Sequence, residues 1–236
     1  MNALALEKVG KTFGRHRALV DLTVTFSAGE VAAVLGPNGA GKSTLLAILS
    51  TLMRPSTGRL RFGDQILARH SLVRTTIGHV GHEPGLYGDL TARQNLQLFA
   101  TLYGVSDAPA RIEAMLERVG LADVRKDAIA RTFSRGMQQR LALARALLPE
   151  PQILLFDEPS AALDPAGAAW LAEELARERA AGRLVVLVTH DLEAAASVAS
   201  HLVILRRGRL VFDERRASFP AATVRALYAE KTGARQ

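Results

Sequence analysis

The chain has 236 residues, a formal charge of +7, 48% hydrophobic residues and no cysteine, which suits one large domain or a domain with a sub-domain and excludes disulfides and thiolate metal sites. No apolar run approaches the roughly 18 residues a spanning helix needs, and the first ten residues, interrupted by Glu7, are too short for a signal peptide, so the expectation is a cytoplasmic protein whose membrane link comes through a partner. The basic residues are scattered and aromatics make up only 5%, a composition that reads as a solvated basic surface with no nucleic-acid platform.

The chain opens on strand-like segments at residues 4–9 and 19–26, with Ser27, Ala28, Gly29 and Glu30 as a turn. Residues 31–35 form a short apolar strand. A Gly-rich loop follows, then a predicted helix over 42–52, and Pro55, Ser56, Thr57 and Gly58 end that unit. A hairpin-like stretch covers 59–67.

The middle of the chain predicts helices. Thr91 and Gln94 have the spacing of a capping box, opening a helix with Leu96, Phe99, Leu102 and Tyr103 on one face. Asp107 is a candidate cap for a second helix carrying Ile112, Met115, Leu116 and Val119, which Gly120 ends. A third helix is expected over 136–148. Alternation then resumes: strand 153–156, Ala-rich helix 165–181, strand 184–188, helix 192–199 and strand 202–205, with a turn at Arg207 and Gly208. The tail from 213 onward predicts a short amphipathic helix at a solvated end of the domain. This order implies an α/β fold with a mainly parallel sheet and a helical insertion.

Two motifs carry chemistry. Gly36, Pro37, Asn38, Gly39, Ala40, Gly41, Lys42 and Ser43 match G-x-x-x-x-G-K-[ST] in full, between a strand and a helix. The glycines let the backbone wrap phosphate oxygens, and the helix that follows offers free N–H groups and a positive dipole end. Lys42 neutralises the β- and γ-phosphates of a nucleotide, and the Ser43 hydroxyl binds Mg²⁺. Further on, Asp157 and Glu158 end an apolar strand, where ligands sit in parallel α/β sheets. Asp157 is the candidate Mg²⁺ ligand and Glu158 the residue that polarises the attacking water.

With these in place, the chain resembles the ATP-binding subunits of ABC transporters over about residues 4–212. Phe133, Ser134, Arg135, Gly136, Met137, Gln138, Gln139 and Arg140 resemble the signature LSGGQ followed by QR. Ser160, Ala161, Ala162, Leu163 and Asp164 resemble the D-loop, and Val188, Thr189, His190 and Asp191 the switch-histidine loop. The resemblance implies a P-loop NTPase core over 1–85 and 148–236, including an N-terminal antiparallel β sub-domain, and a helical signature sub-domain over 86–147. It implies ATP and Mg²⁺ as ligands, with Gly36 to Ser43 and Thr44 on the nucleotide and Phe13 stacking on adenine. His190 then acts beside Glu158. Ser134, Arg135, Gly136 and Met137 face the ATP of a second ATP-binding subunit, giving a head-to-tail homodimer with two shared nucleotides. It further implies integral membrane subunits as partners, on the cytoplasmic face of the inner membrane.

The chain departs from the family pattern at Arg135 and Met137, where Gly and Gln are usual, and at His82, where the loop over residues 77–87 usually carries Gln. An imidazole can accept or donate one hydrogen bond there. His16, His70, His79 and His201 read as surface or packing residues. Residues 81–104 with 133–148 resemble exporter-type ATPases, most closely the heme exporter of cytochrome c maturation. Drug and polysaccharide exporters, and more distantly soluble non-transport ABC ATPases, are the alternatives.

Overall fold

The computed structural model describes residues 3–66, 76–161 and 163–233; His70 lies outside them. A four-stranded antiparallel sheet is built from β1 (Ala3–Phe13), β2 (His16–Ser27), β4 (Thr57–Phe62) and β5 (Gln65–Ile66), in the order β2-β1-β4-β5. A six-stranded sheet uses β3 (Val31–Leu35), β6 (Ile77–Val80), β7 (Ile153–Asp157), β8 (Leu184–Val188), β9 (His201–Arg206) and β10 (Arg209–Arg215), in the order β10-β9-β3-β8-β7-β6. Strands β9, β3, β8, β7 and β6 run parallel, and β10 closes the edge antiparallel to β9.

Strands β3 and β8 are buried along their whole length, as expected of parallel strands covered on both faces. Their side chains divide by the period of two. Ala32, Val34, Val186 and Val188 face a core shared with the antiparallel sheet and with Leu45, Leu46, Ile48 and Leu49 of α1 (Lys42–Leu49). Leu154, Phe156, Val185 and Leu187 face the other way, onto α4 (Arg135–Leu147) and α5 (Pro165–Ala180). Beyond β3, Ala33, Leu35, Leu202 and Ile204 meet α6 (Leu192–Val198) and α7 (Ala221–Thr232). Each fully buried Leu or Val contributes about 1.5–3 kcal/mol relative to exposure.

A separate apolar cluster joins α2 (Ala92–Tyr103), α3 (Ala108–Arg118) and the outer face of α4. The capping box forms in full: Gln94 N donates to Thr91 Oγ1 at 3.1 Å and Thr91 N donates to Gln94 Oε1 at 2.9 Å. The buried face of α2 differs from the expected one. Leu102 is 64% exposed and Tyr103 39%, while Ala92, Asn95, Leu96 and Ala100 are buried. Asn95 tolerates full burial because its amide donates to the carbonyls of Tyr87, Leu90 and Thr91 and accepts from Tyr87 N. Asp107 stands at the N-cap of α3 but its side chain makes no cap bond, since φ +50 turns it away from the first-turn amides. Helix α1 stops at Leu49, before the expected residue 52. At the tail, α7 buries Val224 against β9 and α6. Among the described residues no helix is long and apolar enough to cross a membrane.

Candidate active site

The loop between β3 and α1 is shaped by close approach. Gly41 has φ +103, and a Cβ there would lie 2.6 Å from both Ala18 O and Leu19 Cδ2, so only glycine fits. Gly208 N, in the turn between β9 and β10, donates to Ala40 O at 3.0 Å and fixes the loop from the other side. Beneath it lies a cavity of ≈450 Å³ lined by residues 38–44, Asp157, Glu158, His82, His16 and Ala18. The structure thus brings together the phosphate loop, both carboxylates and His82. It places Phe13 at the turn between β1 and β2, 46% exposed, with Lys11 Nζ 5.2 Å from its ring and outside the cavity lining. His16 does line the cavity, although no motif singles it out.

Lys42 is 9% exposed, and its Nζ donates to Gly36 O at 2.6 Å and Pro37 O at 3.3 Å. Burial lowers its pKa, against the pull of Glu158 and Asp157. The pKa of Asp157 is raised, by burial and then by the charge of Glu158, with His82 and Lys42 opposing. A cation held only by carbonyls, beside carboxylates that repel one another, is a charge set that a polyanion with a divalent cation would complete. Among the described residues no cluster of three or more His, Cys, Asp or Glu fits a metal. The donor set of Ser43 and Asp157 nevertheless suits Mg²⁺, which takes one or two protein oxygens and completes its shell with phosphates and water.

Glu158 has φ +52, sparsely populated for a residue with a side chain. Three donors reach its carboxylate from the end of β8. Thr189 Oγ1 donates to Oε2 at 3.0 Å, His190 N donates to Oε2 at 3.2 Å, and His190 Nδ1 lies 2.9 Å from Oε1. Asp191 N donates to Thr189 Oγ1 at 3.0 Å, which leaves the hydroxyl proton for Glu158. Thr189 is fully buried; its only sequence signal is a hydroxyl beside His190 at a strand end.

None of the signature residues lines the phosphate cavity, but Arg135 shares an adjoining pocket with His82 and Glu158. Ser134 caps α4, its Oγ accepting from Met137 N at 3.3 Å. With Arg135, Gly136, Met137, Arg125, Arg140 and Asp164 it lines a second cavity of ≈430 Å³. Asp164 caps α5, its Oδ1 accepting from Gly167 N at 2.7 Å. Arg135 has no ion pair among the described residues, whereas Arg125 is paired with Asp123. One chain therefore presents two polar concavities, each beside a helix N-terminus. His201, expected at the surface or in packing, is fully buried.

A family model described as ABC transporter matches residues 19–161. The chain is 39% identical over 212 residues to the daunorubicin resistance ATP-binding protein of Streptomyces coeruleorubidus, covering 89% of this chain and 67% of that one. It is 38% identical over 248 residues to the phosphonates import ATP-binding protein of Anaeromyxobacter dehalogenans, covering 98% of this chain and about half, 49%, of that relative. Among solved structures it is similar to a dimeric ATP-binding cassette in a post-hydrolysis state bound to ADP and Pi, with TM-score 0.82, 27% identity and coverage of 92% and 100%.

Proposed function

The chain belongs to the ABC transporter ATP-binding family and is an ATPase of that family, and from this premise we propose that it hydrolyses ATP between two copies of itself to drive separate membrane subunits. The observation that carries the reading is the meeting of Lys42, Ser43, Asp157 and Glu158 in one cavity under a complete phosphate loop. Residues 36–44 cradle the triphosphate with backbone N–H groups, and Lys42 offsets its charge. Ser43 and Asp157 would hold Mg²⁺, which would supply Lewis-acid stabilisation of the phosphate charge. Glu158, oriented by Thr189 and His190, takes a proton as water oxygen bonds to the γ-phosphorus and the β–γ bridging oxygen leaves with ADP. His82 lines the same cavity and supplies a further polar contact. Phe13 is assigned to the adenine.

Ser134, Arg135, Gly136, Met137 and Asp164 are assigned to the partner copy's nucleotide. The existence of a second concavity on the same chain supports this, because each ATP then bridges two protomers and hydrolysis releases the bridge. Residues 1–85 and 148–236 act as the core, and 86–147 as the signature-bearing arm. The membrane subunits place the protein on the cytoplasmic face. For direction and cargo the reading is export, with heme for cytochrome c maturation as the cargo; what supports it is the resemblance of residues 81–104 and 133–148. Stimulation of turnover by heme in the complex with its membrane subunits checks the cargo.

The central test is Glu158→Gln. Turnover should fall at least ~10²-fold, the worth of a positioned base, while ATP-driven dimerisation persists. Unchanged turnover in this variant would remove Glu158 from the chemistry.

A further inference from the structure

We propose that Arg145 is a positioning residue that holds the His82 loop in the phosphate cavity by gripping both of the loop's ends. Arg145 stands in the last turn of α4, the helix that begins at the signature. Its Nη2 donates to His79 O at 2.7 Å and its Nη1 donates to Gly85 O at 3.1 Å. These two carbonyls bracket the segment whose middle residue is His82. A guanidinium suits the task because its donors form a rigid planar fork, which a single ammonium lacks.

Three observations point to a dedicated role. First, the cation has no carboxylate partner among the described residues, its Nε is buried without any hydrogen-bond partner, and burial lowers its pKa. The Phe99 ring, 5.0 Å from the guanidinium carbon, would pack as well against Met or Leu. Stability alone therefore favours an apolar residue here. Second, Gly85 has φ +60, and a Cβ on it would come within 2.8 Å of Nη1, so the loop closes directly onto the guanidinium. Third, a Cβ on Gly78 would lie 2.7 Å from Ala146 O. Strand β6 is thus pressed against the same turn of α4, which fixes the base from which Arg145 reaches. The effect on turnover rests on the role of His82 proposed above; the grip itself does not.

The test uses the full chain with Arg145→Met, and Arg145→Lys should the first variant fold poorly. Hydrogen exchange at the amides of residues 81–86 should quicken on the order of 10-fold while β7 amides keep their rates. kcat should fall on the order of 10-fold with KM for ATP held within about twofold, as for a misplaced active-site group. In a His82→Ala background, Arg145→Met should cost nothing more, because both changes act through one group. Unchanged exchange at 81–86, or losses that multiply, would overturn the proposal. Wild-type turnover in His82→Ala would instead overturn the role of His82, and the exchange rates then decide the grip by themselves.

Discussion

The two edges of the parallel sheet treat charge in opposite ways. At the amino edge, Glu30 immediately precedes β3 and accepts from Ser27 N at 2.7 Å and Arg215 Nε at 3.1 Å. His201, at the start of β9, lies with Nδ1 3.0 Å from Glu30 Oε1 and Nε2 2.6 Å from Asp213 Oδ1. Arg183, just before β8, pairs with Glu178, which also binds Arg118. Each of these charges has met its opposite. At the carboxyl edge of the same strands, Lys42 rests on two carbonyls and the Asp157 carboxylate has no hydrogen bond or ion pair among the described residues. A closed network tells of assembly, whereas charges held apart tell of a ligand still to come.

Glu30→Gln is the sharpest way to separate the edges. Removing one partner from a buried ionic network costs about 3 kcal/mol, read as a lower urea midpoint near neutral pH, while ATPase activity stays within about twofold of wild type. Burial works to raise the Glu30 pKa, but the His201 and Ser27 bonds and the Arg215 charge outweigh it and hold it below its ordinary 4.5. A depressed carboxylate stabilises the fold above its unfolded value and loses that contribution as pH falls through its folded one. The gap between wild type and variant should therefore be full near neutrality and close below pH 4.5. A folded variant with no ATPase would break the distinction between the edges.

Local rules made the open edge readable before the closed one. The phosphate loop and the acidic pair are contiguous motifs, and the apolar runs of β3, β7 and β8 announce the strands that aim them. The Thr91–Gln94 capping box likewise needs only four residues. What escaped is non-local. Strand β6 is four residues containing Gly78 and His79, with no period to read; it is a strand because it pairs with β7. His201 meets Glu30 across 171 positions, and Arg145 meets His79 across 66. On α2 the apolar look of Leu102 and Tyr103 misled, because Asn95 takes the interior place through bonds to a loop that periodicity does not describe.

The open edge also depends on one small closed element, which Thr189→Val probes. The hydroxyl that donates to Glu158 is itself fixed by Asp191 N, so its loss removes one of the two donors on Oε2 and leaves His190 N as the other, without touching the nucleotide cradle. The expected result is kcat lower on the order of tenfold, about 1.4 kcal/mol, with KM for ATP unchanged. Thr189→Ser should restore the rate, since it returns the hydroxyl. A variant that loses ATP affinity and stability together would instead place Thr189 among the packing residues.

The smallest effect expected is at Arg135, which asks whether the contrast extends beyond the sheet to the signature cavity. Arg125 beside it is already neutralised by Asp123, whose pKa is pulled down to about 2 by the Arg125 bonds. Arg135 has no such partner, so by the same logic its charge awaits an anion. Arg135→Gly, which restores the usual family residue, should raise the ATP concentration needed for dimerisation by about threefold at low salt. The difference should fade as salt is raised, because an exposed guanidinium is screened. Single-chain nucleotide binding should change less than dimerisation, since Arg135 is not among the residues that line the phosphate cavity and only borders it through the pocket it shares with His82 and Glu158. Equal dimerisation of both proteins at low salt would mean that an unpaired charge on the helical arm is simply solvated, and that openness marks a ligand only where burial makes the charge costly, as it does for Lys42.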